Sequence, residues 1–306
     1  RQLARVSPEA LIIYEHSEYN LYQIHTSLRK GFPDLVLRTI LGDVVDRTAV
    51  EELIRNEKPE VIFHAAAYKH VPLLEEQVLA AVTNNLIGTK NVAEVALAEN
   101  VERFILISTD KAVNPSNIMG ATKRAAEILC QNLNTLAEHT SFITVRFGNV
   151  LDSAGSVVPL FREQIKAGGP VTVTHPDVTR FFMTIPEACR LIMNAEAVGS
   201  GGEIYVLDMG KAIKISYLAE QMIQLSGLSV GSDIKIEYIG LRAGEKLHEE
   251  LFHEQEQLLG TGFEKLFLAQ ARRYEQDVWE QQMKGFLVAC KNRQSAAILE
   301  QLKQLV

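Results

Sequence analysis

A doubly wound α/β fold on a parallel sheet is the prediction, and three observations carry it. Short β-branched runs alternate with amphipathic helical stretches through the first half of the chain. Those runs are apolar almost without a break, as suits strands covered on both faces. Small or chemically active residues then collect just beyond their C-terminal ends.

The elements follow in order. Ala10-Leu11-Ile12-Ile13-Tyr14 reads as a strand and is followed by a helical stretch through Tyr22 and Leu28. Leu35 to Leu41 gives the next strand, Ala49 to Ile54 lies in a helix, and Pro59 to His64 turns into a third strand. A long helix through Asn84 to Ala98 leads to the strand Arg103 to Ile107; a helix from Ala121 leads to Phe142 to Arg146. The pattern is Rossmann-like. After Asn149 the rhythm loosens around Gly155, Gly168-Gly169-Pro170 and Gly199 to Gly202, and helices dominate the C-terminal third. We therefore expect a dinucleotide-binding domain over 1–150 and mainly a smaller α/β substrate lobe over 151–306. The Glu/Gln-rich stretch His253 to Gln257 reads as a solvated helix face.

Composition bounds the function. With 306 residues, 47% hydrophobic and 23% charged, the chain has the profile of a soluble globular protein able to bury a large core. A net charge of -7 gives no broad basic field, which argues against a nucleic-acid partner. Cys130, Cys189 and Cys290 lie far apart without metal-ligand spacing, so buried thiols in a reducing, cytoplasmic compartment are expected and no metal site is. No apolar run reaches the roughly 18 residues that span a bilayer, so no membrane contact is expected of this segment. Arg1 to Arg5 reads as the tail of a helix already under way.

In such a sheet, an acidic residue after the second strand accepts hydrogen bonds from the adenosine ribose hydroxyls and favours NAD over its 2′-phosphorylated form. Glu15 occupies that place. Asp43-Val44, closing the next strand, is a candidate for the adenine amino group, and Ala65-Ala66-Ala67 after His64 lets backbone approach a ligand. The strongest signal is Ser108-Thr109-Asp110-Lys111 at a strand end, with Met119-Gly120-Ala121-Thr122-Lys123 downstream. Taken singly, a solvated lysine or a turn-capping Asp110 explains each residue equally well.

Together these residues resemble the extended short-chain dehydrogenase/reductase superfamily, in which a Ser/Thr ends this strand and a Tyr-x-x-x-Lys pair follows. Met119 stands at the tyrosine position, and methionine cannot take a proton from an alcohol. Thr109-Asp110-Lys111 is similar to the Thr-Asp-Glu trio of sugar-nucleotide 4,6-dehydratases, with lysine in place of glutamate. With His64 to Val71, Arg146 to Val150, His175 to Met183 and Arg242 to Leu247, the chain resembles the capsular-polysaccharide branch acting on UDP-N-acetylglucosamine. Large membrane-bound members of that branch carry the methionine variant, so the resemblance implies a membrane-anchored full-length form and admits a homo-oligomer.

The resemblance implies NAD as a recycled cofactor. Thr109 would hold the C4 oxygen, Lys111 would be the base at C5, Asp110 the acid for the C6 hydroxyl, and Lys123 would orient the nicotinamide ribose. Lys69 joins the cofactor residues, and Asn149, Arg180 and Arg242 are candidates for the UDP diphosphate. For the C4 hydroxyl proton, Asp110, directly or through water, is the leading candidate. The family pattern also begins with a strand and a Gly-x-x-Gly-x-x-Gly turn that do not precede Glu15. Absence of that central strand is expected to expose two strand edges and an apolar slot between the strands ending at Glu15 and His64. Two other readings stay open: a nucleotide-sugar 4-epimerase, and a nucleotide-sugar-binding module without catalysis.

Overall fold

The computed structural model describes residues 1–253, 256–269 and 275–306. Its first half alternates as expected: β1 (Leu11–Glu15), α1 (Glu18–Gly31), β2 (Leu37–Leu41), α2 (Arg47–Glu57) and β3 (Val61–His64). The short helices α3 (Val71–Glu76) and α4 (Val78–Val82) precede α5 (Gly88–Ala98), β4 (Arg103–Ile107), α6 (Ile118–Leu136) and β5 (Ser141–Arg146). Helix starts are fixed by side chains that accept otherwise unpaired backbone N–H groups: Ser17 from Asn20, Asp46 from Ala49 and Asn117 from Gly120. That last cap starts α6 three residues before the Ala121 expected for it. The predicted Asn84–Ala98 helix divides into a π-turn at Thr83–Ile87, which starts one residue earlier, and α5.

The second half contributes β6 (Asn149–Val150), α7 (Val157–Lys166), β7 (Val171–Val173), β8 (Thr179–Arg180), β9 (Phe182–Met183), α8 (Ile185–Val198) and β10 (Ile204–Leu207). It continues through β11 (Ile213–Lys214), α9 (Ile215–Leu225), β12 (Ile236–Tyr238), β13 (Leu258–Gly260), β14 (Leu266–Ala269), α10 (Gln276–Lys291) and α11 (Ser295–Leu305).

The main sheet has six strands in the order β13-β14-β10-β5-β4-β3; β3, β4, β5 and β10 run parallel, and β14 and β13 add antiparallel. β1 and β2 form a separate parallel pair. Between β1 and β3 lies a slot of about 650 Å3, walled by Leu11, Ile13, Val61 and Ile62 and reaching Glu15 and Ala66. This is the apolar gap expected between those two strands.

Packing redraws the division at residue 150. One face of the sheet buries Phe104, Leu106 and Phe142 against α5 and α6, and Trp279, Met283, Phe286, Ile298 and Leu302 of α10 and α11 join that same cluster. The opposite face packs Ile105, Ile143 and Val145 against α8 and β10. Only Phe161, Ile165, Val171, Val173, Ile215 and Ile223, with their neighbours, form a third core, the small lobe of α7, β7 and α9. Much of 151–306 therefore belongs to the sheet's own layers, because apolar faces on β10, α10 and α11 find their partners there. Among the described residues, no helix is long and apolar enough to cross a membrane.

The expected helix face at His253–Gln257 is also corrected. Glu254 and Gln255 lie outside the described residues; His253, Glu256 and Gln257 are not helical. Glu256 is buried and accepts from Arg146 Nη1 at 2.9 Å. Arg146 also donates from Nε and Nη2 to Glu127 at 2.8 and 2.7 Å, and Glu127 accepts from Arg124 Nη1 at 2.9 Å and from Ser108 Oγ at 2.6 Å. Burial pushes the Glu127 carboxyl up, but the Arg146 charge, its hydrogen bonds and Arg124 outweigh it and hold the carboxyl at about 2. Removing the arginine while leaving both carboxylates buried is costly. We predict that Arg146→Met lowers stability by about 3–5 kcal/mol in equilibrium denaturation, far more than an exposed-pair variant such as Arg162→Met.

Candidate active site

The site forms where β4 ends. Ser108 N donates to Val145 O at 2.8 Å and Asp110 N to Phe147 O at 3.0 Å, so the turn after β4 stays stitched to β5 and its extension. A Cβ added to Gly120 would lie 2.1 Å from Lys111 O, so glycine is needed there for the first turn of α6 to rest on this turn.

The turn gathers its polar atoms around one carboxylate. Asp110 Oδ1 accepts from Thr109 Oγ1 at 2.8 Å and from Lys111 Nζ at 3.0 Å, while Asp110 Oδ2 is buried without a hydrogen-bond partner. Lys111 Nζ also reaches Asn149 Oδ1 at 3.4 Å and Glu249 Oε1 at 3.4 Å. Burial lowers the Lys111 pKa, but the charges of Asp110 and Glu249 and the Asp110 hydrogen bond raise it more, against Arg180; the net direction is up. Lys111 is an ammonium in this arrangement. Thr109, Asp110, Lys111 and Asn149 are thus brought together, and Glu249, which lies in none of the sequence motifs, joins them.

Lys123 lies one helical turn before Glu127 on α6, yet its Nζ is buried without a hydrogen-bond partner. Ser108, Arg124 and two Arg146 nitrogens already fill Glu127's acceptor positions. Burial lowers the Lys123 pKa to about 8, against the pull of Glu127 and Cys130. Met119 is buried in the apolar cluster and brings no titratable group to the tyrosine position.

The predicted cofactor residues line the C-terminal ends of β1, β2 and β3. Glu15 Oε1 accepts from Ser17 N at 2.9 Å and lies 3.3 Å from His16 Nδ1. Asp43 Oδ1 accepts from Val45 N at 2.9 Å, Tyr14 Oη donates to Asp43 O, and Asn91 Nδ2 donates to Val44 O. Glu15, Val44, Ala65 and Ala66 face the same slot. Ala67 precedes Tyr68, whose backbone is held at both N–H and C=O by Asn85 of the π-turn, which also donates to Thr122. Sequence reasoning missed Asn85; a π-turn carries no motif, although such turns recur at functional sites. Lys69 Nζ donates to Ser153 Oγ at 3.3 Å, and burial lowers its pKa. His64 Nε2 is 2.9 Å from Thr89 Oγ1, which itself donates to Asn85 O; burial holds the imidazole neutral, at about 3.

Arg180 has internal partners: its guanidinium donates to Thr179 O, Leu247 O and, at 2.9 Å, Glu245 Oε1, closing an ion pair within the protein. The acidic partner lies 65 residues away in sequence, which hid the pairing. Arg242 is exposed at the start of a turn in which its N–H donates to Glu245.

Residues 1–271 match a family described as "Polysaccharide biosynthesis protein". The chain is 50% identical over 275 residues to the capsular polysaccharide biosynthesis protein CapD of Staphylococcus aureus, covering 90% of this chain and 46% of that protein. It is 31% identical over 268 residues to a Campylobacter jejuni UDP-N-acetylglucosamine 4,6-dehydratase (inverting), covering 87% of this chain and 76% of that one. The solved structure of Pen from Bacillus thuringiensis superposes with a TM-score of 0.81 at 34% identity, covering 90% of this chain and 83% of Pen. The chain spans about half the length of the first of these relatives.

The Lys123 pKa has a measurable consequence. A folded value of about 8 against 10.5 means that the unfolded chain binds more protons between those pH values, so Lys123's contribution to stability rises with pH across that window, by about 3 kcal/mol. Lys123→Met should remove this rise when denaturation is compared with the parent chain from pH 8 to 10.5; an unchanged pH dependence counts against a desolvated, unpaired amine.

Proposed function

The chain belongs to the polysaccharide biosynthesis protein family, among the nucleotide-sugar dehydratases and epimerases of the short-chain dehydrogenase/reductase superfamily, and from that premise we propose that it carries the catalytic site of an NAD-dependent UDP-N-acetylglucosamine 4,6-dehydratase. The observation that carries this reading is the convergence of Thr109 and Lys111 on Asp110 at a strand end, with Asn149 beside Lys111. A C4 epimerase needs a group at the C4 oxygen but has no use for a paired acid and base beside it. The relative named as an inverting dehydratase supports the same reaction and sugar.

The residues fit the cofactor. The orphaned, buried Nζ of Lys123 offers a donor for the nicotinamide ribose. Glu15 would accept from the adenosine ribose, Asp43 and Val44 would meet the adenine, and Ala65, Ala66, Ala67 and Lys69 would line the approach. Bound NAD supplies the acceptor for the C4 hydride and the donor that returns it to C6.

The chain's own groups manage the protons. Thr109 holds the C4 oxygen, and Asp110 is the leading candidate to receive the C4 hydroxyl proton, directly or through water. A ketone at C4 acidifies the C5 proton, which Lys111 removes; Asp110 then delivers a proton to the departing C6 hydroxyl. The partnerless Oδ2 of Asp110 is the atom free for that work, and Gly148 keeps space beside it, since a Cβ there would lie 3.1 Å away. Asn149 and Arg242 are proposed to hold the diphosphate; Arg180 is not, because Glu245 already occupies it.

Two experiments on the full-length protein test this. With NAD and UDP-N-acetylglucosamine, the product should be one water lighter than the substrate, and Lys111→Ala should slow C5 deuterium exchange by about 10²–10⁴-fold while NAD still binds. A product of unchanged mass, epimerised at C4, would overturn the dehydratase reading. Calorimetry should also find NAD bound more tightly than NADP, because Glu15 repels a 2′-phosphate; Glu15→Ala should narrow that preference.

A further inference from the structure

Glu249 belongs to none of the motifs that carry the reading above. It lies in the loop after β12, past the Arg242–Glu245 turn, yet its side chain is only 3% exposed. Its Oε1 is 3.4 Å from Lys111 Nζ and 3.7 Å from Arg180 Nε, and its Oε2 is buried without a hydrogen-bond partner. Arg180 is already engaged by Glu245 at 2.9 Å, so Lys111 is the cation that Glu249 is left to balance.

Lys111 is thus held between two carboxylates from distant parts of the chain, with Asn149 and Arg180 as its other polar neighbours. This creates a chemical problem, because an ammonium clamped in this way cannot accept a proton from C5. Asp110 is poorly placed to relieve it. Its Oδ1 already accepts from Thr109 and Lys111, and its other oxygen is assigned to the C6 hydroxyl. Glu249 has a buried oxygen with no partner and no other task.

We propose that Glu249 is a positioning residue for Lys111, holding its ammonium in the resting site and taking one of its protons when the amine must act as base; this rests on the dehydratase reading. An N–H bond of Lys111 breaks and an O–H bond forms on the Glu249 carboxylate, which removes both charges of the buried pair together. The amine lone pair then takes the C5 proton, while the C5–H bonding electrons pass into the C4 carbonyl as an enolate. The C5 proton ends on Nζ and the relayed proton on Glu249, so the step needs no further reactant.

The test uses the full-length protein with Glu249→Gln and Glu249→Asp, with two readouts. The first is C5 deuterium exchange in UDP-N-acetylglucosamine across pH. The second is the pH midpoint for acylation of Lys111 by an amine-reactive reagent, which does not require turnover. For Glu249→Gln, exchange should fall by about 10²-fold or more at neutral pH and recover as rising pH removes the Lys111 proton. The acylation midpoint should move to lower pH as one carboxylate charge is lost. Glu249→Asp, which retains a carboxylate, should lie between Gln and the parent on both measures and carries the test if the Gln variant fails to fold. Parent-like exchange across the pH range, or an unmoved acylation midpoint, would overturn the proposal. If the parent protein itself shows neither exchange nor dehydration, the dehydratase reading fails, and the midpoint alone decides whether Glu249 governs Lys111.

Discussion

A single buried carboxylate, Glu127, sets the geometry on which the rest of the site depends. It is fully enclosed, and it ties Arg146 of β5, Ser108 at the end of β4 and Arg124 of its own helix into one lattice that Glu256 extends. Burying such charges carries a large desolvation cost, and only near-complete pairing offsets it. The lattice therefore tolerates little movement of β4, β5 or α6 relative to one another. That fixes the turn carrying Thr109, Asp110 and Lys111.

The same saturation explains why Lys123 is left with an unpaired amine. At the spacing of one helical turn, a lysine and a glutamate ordinarily pair; here the glutamate's capacity is spent elsewhere. Polar groups are thereby sorted along one helix: Glu127 is satisfied within the protein, and the Lys123 amine is left without a hydrogen-bond partner. A second sorting separates Asp110 and Glu249, two carboxylates that share one lysine but face different neighbours.

How the layers assemble bears on how the chain is divided. The small lobe built around Phe161, Val171 and Ile223 has its own core, but the segments that follow it return to the main sheet as β13, β14, α10 and α11. The lobe is an insertion into the sheet's layers more than a domain appended to them. Arg180 and Glu245 belong to that insertion, and their mutual pairing, together with Arg180's approach to Glu249, links the lobe to Lys111.

The sequence by itself determined the alternation of strands and helices in the first half, the position of Thr109-Asp110-Lys111 at a strand end, and the placing of Glu15, Asp43 and the alanines after His64 on one edge. Those features are local: periodicity, caps and strand termini are written within a few residues of each other. Only the tertiary structure decided that Arg180 is spent on Glu245, that Glu256 is a buried counterion and not part of a solvated helix, that Asn85 holds the loop at Tyr68, and that Glu249 stands against Lys111. Each of these is a pairing of charges or hydrogen-bonding groups far apart in the chain. A charged residue looks the same in sequence whether it faces water or a partner, and burial, which makes the partner necessary, is a property of the packed layers.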